Sequence, residues 1–172
     1  MSPTNLSRRA ALKALGLMSG AMVVVTACGG GSSGSSAAPA APTSNPDAPE
    51  VKLSISTKGS TAYFDNEKLE AAAGSKIALT LKNAADASSK QAFNWVLVKP
   101  GKMLVVVSTG QSEGADTDYV KAGDENVIAH TKLVQPGQSE TITFDAPPAG
   151  EYPFICTFPG LYNTMKGTLT VR

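Results

Sequence analysis

The stretch that most constrains the fold is residues 151–171, E-Y-P-F-I-C-T-F-P-G-L-Y-N-T-M-K-G-T-L-T-V. An aromatic and aliphatic run ends at Cys156, and Pro159-Gly160 signals a turn. Met165 follows nine residues after the cysteine, and Thr168-Leu169-Thr170-Val171 alternates as a half-buried strand does. The stretch therefore reads strand, tight loop, strand. A Cys and a Met bracketing such a loop suit a soft metal ion, because thiolate and thioether prefer Cu(I)-like ions. The same two residues also suit a plainer role, as a buried thiol and a core methionine.

Upstream, short apolar runs recur between turn signals. Val51, Leu53 and Ile55 alternate with polar residues, and Ile77, Leu79 and Leu81 do so again after Ala73-Gly74. Phe64-Asp65-Asn66 marks a turn between them. Asn94 to Val98 is a third strand and carries Trp95, the one tryptophan. Val127 to Ala129 and Thr141 to Phe144 are further short strands, punctuated by Pro136-Gly137 and Pro147-Pro148-Ala149-Gly150. This spacing predicts an all-β sandwich over residues 51–172 with Trp95 buried. Met103-Leu104-Val105-Val106-Val107 is largely β-branched, so propensity makes it a strand as well.

The N-terminus has the organisation of an export signal. Arg8, Arg9 and Lys13 precede an apolar, small-residue segment from Ala14 to Val25, too short for a confident membrane span of about 20 residues. Ser7-Arg8-Arg9-Ala10-Ala11-Leu12-Lys13 resembles a twin-arginine signal, an ordinary secretory signal being the alternative. Val25-Thr26-Ala27-Cys28 resembles a bacterial lipobox, with Cys28 lipidated after removal of residues 1–27. Residues 28–50 would then be the lipidated cysteine and a Gly/Ser/Ala/Pro tether, too poor in bulky apolar side chains to order itself. Such a tether has a typical end-to-end distance of roughly 25 Å. The expected location is extracytoplasmic, at the cell envelope, with the membrane as partner through the lipid. Removing Arg8, Arg9 and Lys13, and no carboxylate, takes the formal charge from +1 to −2. Nothing in that balance suggests nucleic acid.

The segments C-T-F-P-G-x-x-x-x-M-K-G-T-L, N-W-V-L at 94–97, D-Y-V at 118–120, V-I-A-H-T-K-L at 127–133 and T-F-D at 143–145 occur in one order. Together they resemble the azurin and auracyanin proteins, small blue copper electron carriers of the cupredoxin class. The resemblance covers about residues 51–172 and implies a Greek-key β-sandwich with a short helical insertion near 102–112, against the strand propensity of 103–107. It also implies a copper site with a Cys at 156, a Met at 165 and a backbone oxygen at Ala92, buttressed by Asn94 and Thr157. The family's two ligand histidines would fall at 93 and 161. This chain has Phe93 and Leu161 there.

That departure decides what the chain is expected to do. A blue copper centre takes two imidazoles, one thiolate and a weak axial thioether. The one histidine, His130, matches a surface position of the family and not a ligand. Copper is thus implied by the family and opposed by the residues. Phe93 and Leu161 convert a polar cavity into an apolar plug, which spares the interior imidazole nitrogens without partners. In that setting Cys156 becomes an inert buried thiol. Its disulfide partner could only be Cys28, which the lipobox reserves for lipid. Nucleophilic catalysis needs a base near the thiol, and His130 lies in another region, so no enzyme is expected. Two roles remain. One is a redox-silent binding or structural module with a contact surface at the Phe93/Leu161 end, where the family docks its redox partners. The other is copper-binding electron transfer through an atypical Cys/Met site or an external ligand.

Overall fold

In the computed structural model, residues 48–172 are described. The export signal, Cys28 and the tether through residue 47 lie outside the described residues. Alternation builds the first sheet. β1 (Glu50–Ser56) runs parallel to β3 (Lys76–Lys82), setting Val51, Leu53 and Ile55 beside Ile77, Leu79 and Leu81. β6 (Ser139–Asp145) pairs antiparallel on the far side of β3 and adds Ile142 and Phe144 to the same face.

The second sheet has the order β2-β8-β7-β4-β5. Its members are β2 (Lys68–Ala71), β4 (Val96–Val98), β5 (Val127–His130), β7 (Gly150–Ile155) and β8 (Lys166–Val171). All its pairings are antiparallel except β2 with β8. The chain crosses between sheets after β1, β2, β3, β5 and β6, as expected of a Greek-key sandwich. The apolar faces meet over Ile55, Ile77, Leu79, Leu81, Trp95, Leu97, Phe154 and Leu169, all buried. Trp95 lies between Phe144 of one sheet, 6.0 Å away, and Phe154 of the other, 5.6 Å away. Its indole N–H has no hydrogen-bond partner among the described residues, and the ring packs against both phenyl groups.

β4 is buried on both faces. Leu97 faces the sandwich, while Val96 and Val98 face a second cluster with Val106, Val107, Val120 and Ile155. Val106 and Val107 come from α1 (Met103–Glu113), so the run 103–107 is helical. The strand that propensity predicts there is overruled by packing. Adjacent Val106 and Val107 are buried together with Gly110, which is helical spacing and not strand alternation. β2 was not expected from sequence. Its four residues K-L-E-A bury only Leu69 and Ala71, and pairing with β8 defines it. β4 is also shorter than the expected 94–98, because Trp95 exchanges its bonds with Thr131, one of them through the threonine hydroxyl.

Gly110 lets α1 approach the backbone at Tyr119. A Cβ there would collide with the Tyr119 carbonyl oxygen. In an exposed helix Gly→Ala stabilises by roughly 1 kcal/mol. Here Gly110→Ala is predicted to destabilise by about 1–3 kcal/mol, as overpacking does. Urea unfolding of the variant reads the sign directly.

Candidate metal centre

β7 delivers Cys156 and β8 begins just after Met165, so the loop between them carries both sulfur side chains. The loop closes with the Cys156 N–H donating to the Met165 carbonyl at 2.9 Å. Inside it, Leu161 N–H donates to Phe158 at 3.1 Å, and the N–H groups of Thr164 and Met165 donate to Leu161 at 3.0 and 2.8 Å. Gly160 makes the turn at φ 84°, a left-handed conformation that Pro159-Gly160 foretold.

Asn94 braces this loop from outside. Its Nδ2 donates to the Asp118 carbonyl and to Thr157 Oγ1, both at 2.7 Å, and its Oδ1 accepts from the Thr157 N–H at 2.9 Å. Asp118 and Tyr119 both sit at positive φ, 58° and 54°. Asp118 holds that conformation with its carboxylate, which accepts from the Leu133 N–H at 2.8 Å. The Tyr119 ring then meets Phe158 edge-on at 5.3 Å. Sequence matching singled out Asn94 and Thr157 but assigned nothing to Asp118, Tyr119 or Phe158. The D-Y-V match marked the first two; their unusual backbone had no sequence signal, since neither is a glycine.

The expected site positions come together. Phe93, Cys156 and Met165 are fully buried in one apolar cluster, Leu161 packs against it half-buried, and Ala92 is buried beside Phe93. Phe93 bridges Val134 through backbone bonds of 3.2 and 2.7 Å. His130 is elsewhere, exposed at the end of β5. One expectation is corrected. Phe93 has no exposed surface, so it cannot form part of a contact face. Leu161 and Phe158 are the partly exposed residues of that end.

Burial pushes the Cys156 thiol from 9.0 up to about 11, because the charged thiolate loses its water. The backbone N–H groups of Asn94 and Phe158 act in the opposite direction without outweighing it. Among the described residues, no three His, Cys, Asp or Glu side chains cluster as a metal site. The loop itself brings two sulfur donors, from Cys156 and Met165. Phe93 and Leu161 supply no lone pair. This donor set does not fit a type 1 copper ion, which takes two imidazole nitrogens.

Fold and loop together define a cupredoxin: a two-sheet sandwich with one helix and a Cys–Met loop at one end. The description of the copper-binding plastocyanin/azurin family matches residues 50–172, and the chain belongs to that family of blue copper electron-transfer proteins. It is 38% identical to auracyanin-A of Chloroflexus aurantiacus over 160 residues, 92% of this chain and 94% of the relative. It is 48% identical to azurin of Pseudomonas aeruginosa over 82 residues, 46% of this chain and 55% of the azurin. Among solved structures, the blue copper protein auracyanin A superposes with a TM-score of 0.66 at 36% identity, covering 72% of this chain and 99% of that one. Auracyanin of Roseiflexus castenholzii gives 0.65 at 36% identity, covering 70% and 96%.

The raised thiol pKa makes a stability prediction with a definite sign. Folding holds the Cys156 proton more tightly than the unfolded chain does. That contribution is fully present below pH 9 and fades as pH rises through about 11. Between pH 8 and pH 11, wild type is predicted to lose about 2 kcal/mol more than Cys156→Ala. Urea midpoints of the two chains at both pH values check it.

Proposed function

We propose that this chain is an exported, lipid-anchored cupredoxin that forms no type 1 copper centre and serves as a redox-silent binding or structural module. The single observation that carries this is the apolar pair Phe93 and Leu161 in the cluster around Cys156 and Met165. An imidazole at position 93 would have put a polar nitrogen into that interior, at a cost of roughly 1–3 kcal/mol if left unpaired. The apolar side chains avoid that cost and give up the metal. Cys28 carries the lipid, the stretch between it and β1 forms the tether, and the domain works on the outer side of a membrane. Its contact face is the loop end, where Leu161, Phe158 and Tyr119 are partly exposed around the buried cysteine. No residue arrangement there supports catalysis, since the thiol has no base beside it.

A second function has its own support. Cys156 and Met165, joined by the backbone bond that closes their loop, are the thiolate and thioether that a soft monovalent ion prefers. On that reading, copper handling or electron transfer survives with an external ligand completing the site. Adding Cu(II) to the purified protein and recording its visible spectrum separates the two. The first reading predicts no intense thiolate-to-copper absorption; a blue protein would establish the second.

A further inference from the structure

Three large apolar side chains are exposed among the described residues: Tyr63, Leu104 and Val105. The last two are neighbours on the first turn of α1, with Leu104 67% exposed. The turn that opens the helix is flanked by exposed Lys99 and Lys102, and the Lys102 N–H closes it on the Lys99 carbonyl at 3.1 Å. Lys121 lies across a shallow depression from Val105, which it lines together with Asp124 and Glu125. Asp124 accepts from Asn126 at 2.8 and 2.9 Å and from Thr109 at 3.3 Å, which orients its carboxylate and leaves it charged.

The charges of α1 run against its dipole. Its N-terminal turn has no acidic residue and begins at Lys102, whose side chain makes no capping bond; its last residue is Glu113, with no basic residue in that turn. A helix favours the reverse order. The exposed leucine and the misplaced lysines therefore share one end of the helix, where neither serves the fold. Local conflicts of this kind mark surfaces kept for another purpose.

From this we infer that the Lys99–Val105 turn docks on an anionic lipid surface, with Leu104 and Val105 entering the headgroup layer and Lys99, Lys102 and Lys121 meeting phosphates. Size selects this occupant. A stable protein interface takes about 800 Å² from each partner, far more than two side chains supply. Shallow insertion of a few apolar side chains beside lysines is how peripheral segments meet a bilayer. The inference rests on the lipid at Cys28 proposed above. A short flexible tether raises the local concentration of the surface to about millimolar, so a weak contact suffices. Docking there would fix an orientation that the tether alone leaves free.

The test uses the processed, lipid-bearing chain in nanodiscs of phosphatidylcholine, with and without phosphatidylglycerol, doped with a gadolinium-headgroup lipid. The expected result is amide relaxation enhancement at residues 99–105 several-fold above that on β1, β3 and β6, weaker without phosphatidylglycerol. It drops to the domain average in the Leu104→Ser/Val105→Ser chain, whose unchanged spectrum elsewhere shows it folded. Uniform enhancement over the domain, or a maximum at 158–162, overturns the docking face. The mass of the Cys28 peptide reports the anchor separately. A lipidated Cys28 with uniform enhancement removes this inference alone, and an unlipidated Cys28 removes the anchor and the docking with it.

Discussion

The Asn94 side chain is the contact on which the rest of the loop end depends. Three hydrogen bonds from one buried amide join the segment leading into β4, the turn at Asp118 and the start of the cysteine loop at Thr157. These are distant in sequence, and the Thr157 N–H and hydroxyl would be buried without these bonds if Asn94 were lost. Leaving such groups unsatisfied costs roughly 1–3 kcal/mol each.

Binding type 1 copper needs nitrogen donors, and the fold does not: Phe93 and Leu161 belong to the same apolar cluster as Cys156 and Met165. The brace, the turn at Gly160 and the closing bond from Cys156 to Met165 are all present without them. Structure and chemistry have separated here because different residues support them. Fold-level kinship therefore states what the chain descends from more securely than what it binds.

Much of this was legible in the sequence, for identifiable reasons. Strands with one apolar face announced themselves by alternation, as in Val51-Leu53-Ile55 and Ile77-Leu79-Leu81. β2 did not, since two buried residues of four make no pattern and its partner β8 lies some hundred residues away. The helix at 103–113 was visible only through the family resemblance, because local propensity favours a strand and the deciding contacts are with Val96 and Val98. Cys156 and Met165 were singled out by their spacing around a turn, and Asn94 and Thr157 by the family resemblance. Asp118 and Tyr119 were not, because nothing in an Asp-Tyr pair foretells two left-handed residues in a row. The burial of Phe93 was likewise inaccessible, since a ring at a former ligand position can turn inward or outward.

The central claim is that only two nitrogen donors separate this loop from a blue copper site. Its most direct measurement is the visible spectrum of the Phe93→His/Leu161→His double variant on titration with Cu(II). The account predicts intense thiolate-to-copper absorption at one equivalent, absent from wild type and weaker in either single variant, because one imidazole leaves the trigonal plane incomplete. A double variant that is folded, by an unchanged far-ultraviolet spectrum and a cooperative melt, yet stays colourless would contradict it: the pocket would then differ from a copper site by more than two side chains.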